Sequence, residues 1–275
     1  MIDFQLKSAG FCYASKSHAL RGAEKKDIRF FATYGLIRHP EHGVILFDTG
    51  YSQRFFEYTK KFPYRIYQFL TKVTITPEEE VVNVLKSEGI QPEDVKYIIL
   101  SHFHADHIGG LKDFADATFI TGKTTYEAIK GKTGITAMKH GFVPMFLPDD
   151  FESRLRLIDI DKGTKLDKDL GKLVDVFGDG SILLCDLNGH AIGQLGAILN
   201  TNKGNVFLIA DACWLEETYK KNWLPSPIVK LLFGSWNGFL NSIKKIQNYY
   251  KNNPKTVIIP CHCEATMIRF LNDDV

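Results

Sequence analysis

Four side chains that can ligate a metal fall within the six residues His102-Phe103-His104-Ala105-Asp106-His107. Imidazole and carboxylate are borderline and hard donors, a set that suits Zn²⁺ and also accepts Mn²⁺ or Fe²⁺. His102 and His104, two apart, project together from an extended segment. Asp106 and His107 follow a turn and face a neighbouring position. One tetrahedral ion does not need all four, so the spacing points to two ions sharing a cleft. Further candidates stand at comparable places: His190, Asp211 and His262.

The elements that must position these groups are apolar runs. Tyr97-Ile98-Ile99-Leu100 precedes the first cluster, and Ser181 to Cys185 runs toward Gly189-His190. Val206-Phe207-Leu208-Ile209-Ala210 ends on Asp211, and Val257-Ile258-Ile259-Pro260-Cys261 ends on His262. Each reads as a buried strand with its ligand just beyond the end, where loops on a rigid scaffold carry chemistry. The remaining histidines, His18, His39, His42 and His140, lie in polar or loop-like stretches and read as solvated or capping residues.

In combination these motifs resemble the metallo-β-lactamase superfamily: HxHxDH, a Gly-His, an Asp after an apolar strand, a His near the C-terminus, and the early element Val44-Ile45-Leu46-Phe47-Asp48-Thr49-Gly50. The likeness runs from about residue 29 to 265. It implies an α/β fold, a four-layer αβ/βα sandwich with metals at one edge between the sheets. It also implies that His102, His104 and His190 hold one ion, that Asp106, His107 and His262 hold the other, and that Asp211 bridges them. Asp48 is similar to an aspartate that orients ligands without being one. Two such ions would lower the pKa of a bridging water, whose hydroxide attacks an electrophilic carbonyl, with Asp106 able to shuttle a proton.

Within the superfamily the pattern is most similar to the N-acyl homoserine lactonases. The spacing of 83 positions from His107 to His190 leaves room for an irregular insertion at about 122–165, and the apolar stretch Gly141–Phe151 within it resembles an acyl-pocket loop. Phe142 and Phe146, and some aromatics of the 51–73 segment, are candidates to line that pocket. The chain departs from those lactonases at Trp214, where they carry a tyrosine whose hydroxyl touches the substrate carbonyl. The expected activity is hydrolysis of an ester or lactone in a small molecule with an apolar acyl part. A thioester hydrolase of glyoxalase-II type, a phosphodiesterase and an inactive metal-binding regulatory member stay open as alternatives.

Composition bounds the remainder. The ligands are spread from 102 to 262, so any cut between them divides the site, and the 275 residues read as one domain. A hydrophobic content of 44% is ample for one core, and a net charge of +2 offers no footprint for a nucleic acid. No run of about 18 apolar residues occurs, and the first residues lack the pattern of a signal peptide. Five cysteines without CxxC spacing fit a reducing, cytoplasmic setting. Thr76-Pro77-Glu78-Glu79 predicts a capped helix to about Ser87, a short helix is expected over 111–114, and a long amphipathic helix near 237–251.

Overall fold

The computed structural model describes residues 1–271, and within them two sheets are contiguous in sequence. The first has seven strands: β1 Asp3–Ser15, β2 Asp27–His39, β3 Gly43–Phe47, β4 Lys72–Thr74, β5 Val95–Ile99, β6 Thr118–Gly122 and β7 Leu155–Ile158, in the order β4-β1-β2-β3-β5-β6-β7. β1 to β3 are an antiparallel meander, as the turn at His42-Gly43 leads one to expect, and β3, β5, β6 and β7 run parallel. The second sheet has six strands: β8 Lys165–Asp167, β9 Gly171–Asp175, β10 Ile182–Asp186, β11 Leu195–Thr201, β12 Gly204–Ala210 and β13 Val257–Pro260, in the order β13-β12-β11-β10-β9-β8.

The four layers follow from strands that are apolar on both faces. Along β3, Ile45 and Phe47 point into the core between the sheets, where they join Ile99, Ile120, Leu184, Leu199 and Leu208. Leu46 points the other way, into an outer core built with Val81, Leu85 and Ile108 from the helices on the first sheet. On the far side, Phe239, Ile243 and Ile246 of the helix Trp236–Asn252 cover Phe207 and Ile209 of β12. Both faces of each sheet are thereby closed, as expected of the αβ/βα sandwich.

Two expectations are adjusted. The capped segment begins as a 3₁₀ turn, Pro77–Glu79, with the capping box intact, and becomes α-helical over Val81–Ser87; residues Leu111–Asp113 likewise form one 3₁₀ turn. The 122–165 stretch is less irregular than its composition suggests: Lys123–Glu127 and Gly134–Met138 are helical, and Leu155–Ile158 is the edge strand of the first sheet. Among the described residues, no helix is long and apolar enough to cross a membrane.

Candidate metal centre

Every strand that leads to a candidate ligand delivers it to the same edge. Asp48 follows β3, the HxHxDH segment follows β5, His190 lies on the connection from β10 to β11, Asp211 follows β12 and His262 follows β13. The two sheets are tied together there: Ser101 accepts from the Leu195 amide at 3.0 Å, and the Thr33 hydroxyl donates to the Cys261 carbonyl at 2.8 Å. Asp48 and Ala210 have left-handed backbone, with φ of 61° and 45°. Such conformations cost an L-residue of this kind roughly 1–2 kcal/mol and cluster at functional sites.

The His190 turn is held by close backbone approach. A Cβ on Gly189 would lie 2.1 Å from the Phe239 amide nitrogen, so only glycine lets this turn rest on the start of the helix Trp236–Asn252. Gly141 is comparable: at φ +62° its Cβ would meet the His104 ring, 2.5 Å from Nε2. This residue lies in the 122–165 stretch and backs a ligand candidate, a role that a glycine in a loop does not announce in the sequence.

Two groups of donors result. In the first, one ligand atom from each of His102, His104, His190 and Asp211 lies within 4.8 Å of the others. In the second, His107, Asp211 and His262 meet the same test together with Cys261, which the sequence did not single out. The Cys261 thiol faces the Phe31 and Thr33 carbonyls, at 3.9 and 3.8 Å. Asp106 faces the second group, with Oδ2 at 3.6 Å from Nε2 of both His107 and His262. Asp211 touches both groups: Oδ2 is 3.2 Å from His190 Nε2 and 3.0 Å from His262 Nε2, while Oδ1 is 3.3 Å from His107 Nε2.

Hydrogen bonds behind the rings fix which nitrogen looks inward. His107 Nδ1 lies 2.8 Å from Asp48 Oδ2, and His262 Nδ1 lies 2.7 Å from the Phe31 carbonyl. Both partners are acceptors, so each Nδ1 carries the proton. The Ser101 hydroxyl donates to Asp48 Oδ2 at 2.8 Å, which leaves its oxygen to accept from His102 Nδ1 at 3.0 Å. His102, His107 and His262 therefore turn Nε2 toward the centre, the nitrogen that a bound cation would take up in place of a proton. His102 Nε2, His107 Nε2 and Asp211 Oδ1 are buried without a hydrogen-bond partner. Buried polar atoms are rarely left so, and a cation among them satisfies all three. The residues fit divalent metal binding.

Electrostatics separate the two groups. Burial, reinforced by neighbouring imidazoles, pushes His102 and His190 well below the usual histidine range; burial also lowers His104. Burial opposes charge on His107 and His262 too, but Asp106 and Asp48 around the one, and Asp211 against the other, outweigh it and raise both. Asp211 is lowered despite burial, by His262, His190 and His107. Asp48, the expected orienting residue, accepts three bonds, from His107 and from the Ser101 amide and hydroxyl. Ser101 went unnoticed in the sequence, although it directly precedes the motif.

The substrate-side candidates divide. Trp214 stands beside the centre, its indole N–H donating to Asp211 Oδ2 at 3.3 Å and its ring against Phe30, Phe233 and His190. Phe142 and Phe146 are buried in the outer core, where Phe142 packs on Phe103 and Phe146 on Tyr58, so neither ring forms an open wall. Of the 51–73 aromatics, Tyr51 and Phe55 are core residues, whereas Phe62 and Phe69 are exposed.

Residues 28–138 match the model of the metallo-beta-lactamase superfamily. The chain is 31% identical over 215 residues to the metallo-hydrolase mfmC of Annulohypoxylon moriforme, covering 74% of this chain and 54% of that protein. It is 26% identical over 188 residues to the N-acyl homoserine lactonase AttM of Rhizobium radiobacter, covering 66% and 63%. The chain thus spans between half and two thirds of the length of these relatives. Among solved structures, an N-acyl homoserine lactone hydrolase with N-hexanoyl-L-homoserine at its catalytic metal centre superposes with a TM-score of 0.71 at 24% identity, covering 96% of this chain and 94% of that one. The dizinc quorum-quenching lactonase AidC gives a TM-score of 0.64 at 13% identity, covering 96% and 88%. These likenesses show the fold.

Proposed function

We propose that this chain, which matches the metallo-beta-lactamase superfamily over residues 28–138 and is similar to N-acyl homoserine lactonases, is a hydrolase dependent on two divalent ions, acting on an ester or lactone beside an apolar acyl group. The observation that carries this reading is the inward set of Nε2 atoms on His102, His107 and His262, each backed by an acceptor on Nδ1, around the carboxylate of Asp211. His102, His104 and His190 would hold one ion; Asp106, His107 and His262 would hold the other; Asp211 is shared.

Zinc suits this donor set, with manganese and iron as alternatives, and a bound pair supplies an acidified water and a Lewis acid for the carbonyl oxygen. The chain's own groups do the rest. Asp48 and Ser101 keep the imidazoles in register. Asp106, buried beside His107 and His262, would hold a proton and pass it to the leaving oxygen. Phe30, Trp214 and Phe233 offer the apolar wall for an acyl part, in place of Phe142 and Phe146. The named activities of the lactonase relatives support this bond class, and five free, buried cysteines support a reducing, cytoplasmic setting for a single-domain protein.

Metal analysis of the purified protein, with kcat/KM measured on lactones, esters, thioesters and phosphodiesters, tests the proposal. Two ions per chain and preferred turnover of a lactone or ester are expected. Saturation at one ion overturns the two-ion centre, and preferred turnover of a phosphodiester or thioester overturns the bond class.

A further inference from the structure

We infer that Trp214 is a positioning residue for Asp211: its indole N–H holds the carboxylate oxygen that lies between the two ligand groups, and its ring is wedged so that the N–H stays there. The inference rests on the two-ion reading above. Asp211 Oδ2 receives Trp214 Nε1 at 3.3 Å while standing 3.2 Å from His190 Nε2 and 3.0 Å from His262 Nε2. An indole nitrogen only donates, so the direction of the bond is fixed.

The ring is braced from several sides. Phe30 packs against it at 5.6 Å between centroids and itself stacks on His262 at 4.9 Å and 15°. Phe233 meets it edge-on at 5.4 Å and stacks in turn on Trp236 at 5.6 Å and 17°. His190 lies 6.0 Å away at 81°. Trp214 therefore touches one group directly through His190 and reaches the other through Phe30, with its one polar atom directed at the carboxylate they share.

The backbone explains why such a brace is useful. Ala210, immediately before Asp211, is a non-glycine residue at φ 45°, so Asp211 is presented from a strained turn. A strained turn persists when its surroundings over-determine it, and the indole bond is one such restraint on the carboxylate. A tyrosine here would carry its hydroxyl in a different place, free for a substrate carbonyl. In this chain the donor at position 214 is committed to Asp211.

The test compares wild type with Trp214→Phe, which keeps an aromatic ring and removes the N–H. Metal-free proteins are titrated with Zn²⁺ against a chromophoric chelator, and the visible spectra of the Co²⁺-loaded proteins are recorded. The bond is long, so affinity for the more weakly held ion should fall by about tenfold, the low end of what outer hydrogen-bond partners contribute, and the Co²⁺ spectrum should change. Unchanged affinity and spectrum overturn the inference. A second arm does not need that variant to fold: in ¹H–¹⁵N spectra of wild type and Asp211→Ala, both freed of metal, the Trp214 indole resonance should move. Those of Trp223, whose N–H donates to the Arg21 carbonyl, and Trp236 should stay. A stationary Trp214 resonance overturns the inference. Fewer than two ions in the wild type defeats the two-ion reading, and the spectral arm still decides whether the indole holds Asp211.

Discussion

Two clusters of histidines and carboxylates lie at opposite ends of the same strands, and only one has the makings of a metal site. The candidate ligands and Asp48 follow the C-terminal ends of β3, β5, β10, β12 and β13, whereas His39 ends β2, His42 stands just before β3, and Asp179 precedes β10. β3 has five residues, so the clusters are separated by roughly 17 Å of strand. His39, His42 and Asp179 also gather ligand atoms within 4.8 Å. The difference lies in what the nitrogens already do. His39 Nδ1 accepts from the Glu41 and His42 amides at 3.1 and 3.2 Å, which puts the proton on Nε2, where it faces Asp179 Oδ2 and Ser181 Oγ, each at 3.0 Å. His39 is a turn cap with both nitrogens used, and His42 stacks on Phe177 at 3.9 Å. Unfilled bonding capacity, more than proximity, distinguishes a ligand set from a structural one.

The largest effect that can break this contrast comes from Asp211→Ala. On the proposed two-ion reading, removing the shared carboxylate would take away the group that offsets repulsion between two dications. Metal content should fall to one ion or none, and kcat/KM by about a thousandfold, the equivalent of several kcal/mol of lost transition-state stabilisation. Two retained ions with full activity would remove Asp211 from the role. Next is Gly141→Ala, which brings a methyl within 2.5 Å of His104 Nε2 at a φ of +62°. Metal affinity should drop by roughly ten- to a hundredfold. Gly131→Ala is the control, since its φ of +68° carries a similar strain with nothing within 4 Å of the added Cβ. Equal metal affinity in the two variants would separate His104 from the centre.

His39→Ala should reverse the pattern. It leaves two backbone amides without their partner, at a cost of about 1–3 kcal/mol in unfolding free energy, and leaves the metal content unchanged. Urea denaturation followed by metal analysis separates the outcomes, and loss of metal in this variant would dissolve the distinction between the clusters.

How much of this could be read from residues alone depends on the range of the signal. Strands β3, β5, β10, β12 and β13 are apolar runs followed by a candidate ligand or, for β3, by Asp48, so period and position together placed the ends that matter. Side-chain pairing across the fold left no such trace. That Asp48 and Ser101 lock His107 and His102, that Phe31 supplies a carbonyl to His262, and that Gly141 backs His104 all depend on contacts between distant segments. Phe142 and Phe146 looked like pocket walls because an apolar, proline-punctuated stretch reads the same whether it faces a ligand or the core. β7 was hidden for a related reason: Arg156 and Leu157 are exposed, so this edge strand lacks the run of buried residues that marked the others.

The smallest effect concerns pH and the structural cluster alone. Burial pushes Asp179 up, but bonds from the Ser181 hydroxyl and amide and from His39 outweigh it and hold the carboxyl at about 2. A carboxylate in an unfolded chain titrates near 3.9. Because the folded value is the lower one, this group contributes stability that is fully present above about pH 4 and is lost as pH falls toward 2. Asp179→Asn should therefore be slightly less stable than wild type at neutral pH and should lose less stability over that acidic window. Its side chain is 37% exposed, so solvent and salt screen the interaction and the difference is small. Melting temperatures of both proteins, measured with the metals removed, should converge from pH 5 down to pH 2; parallel curves would show that His39 and Ser181 hold Asp179 no more tightly folded than unfolded.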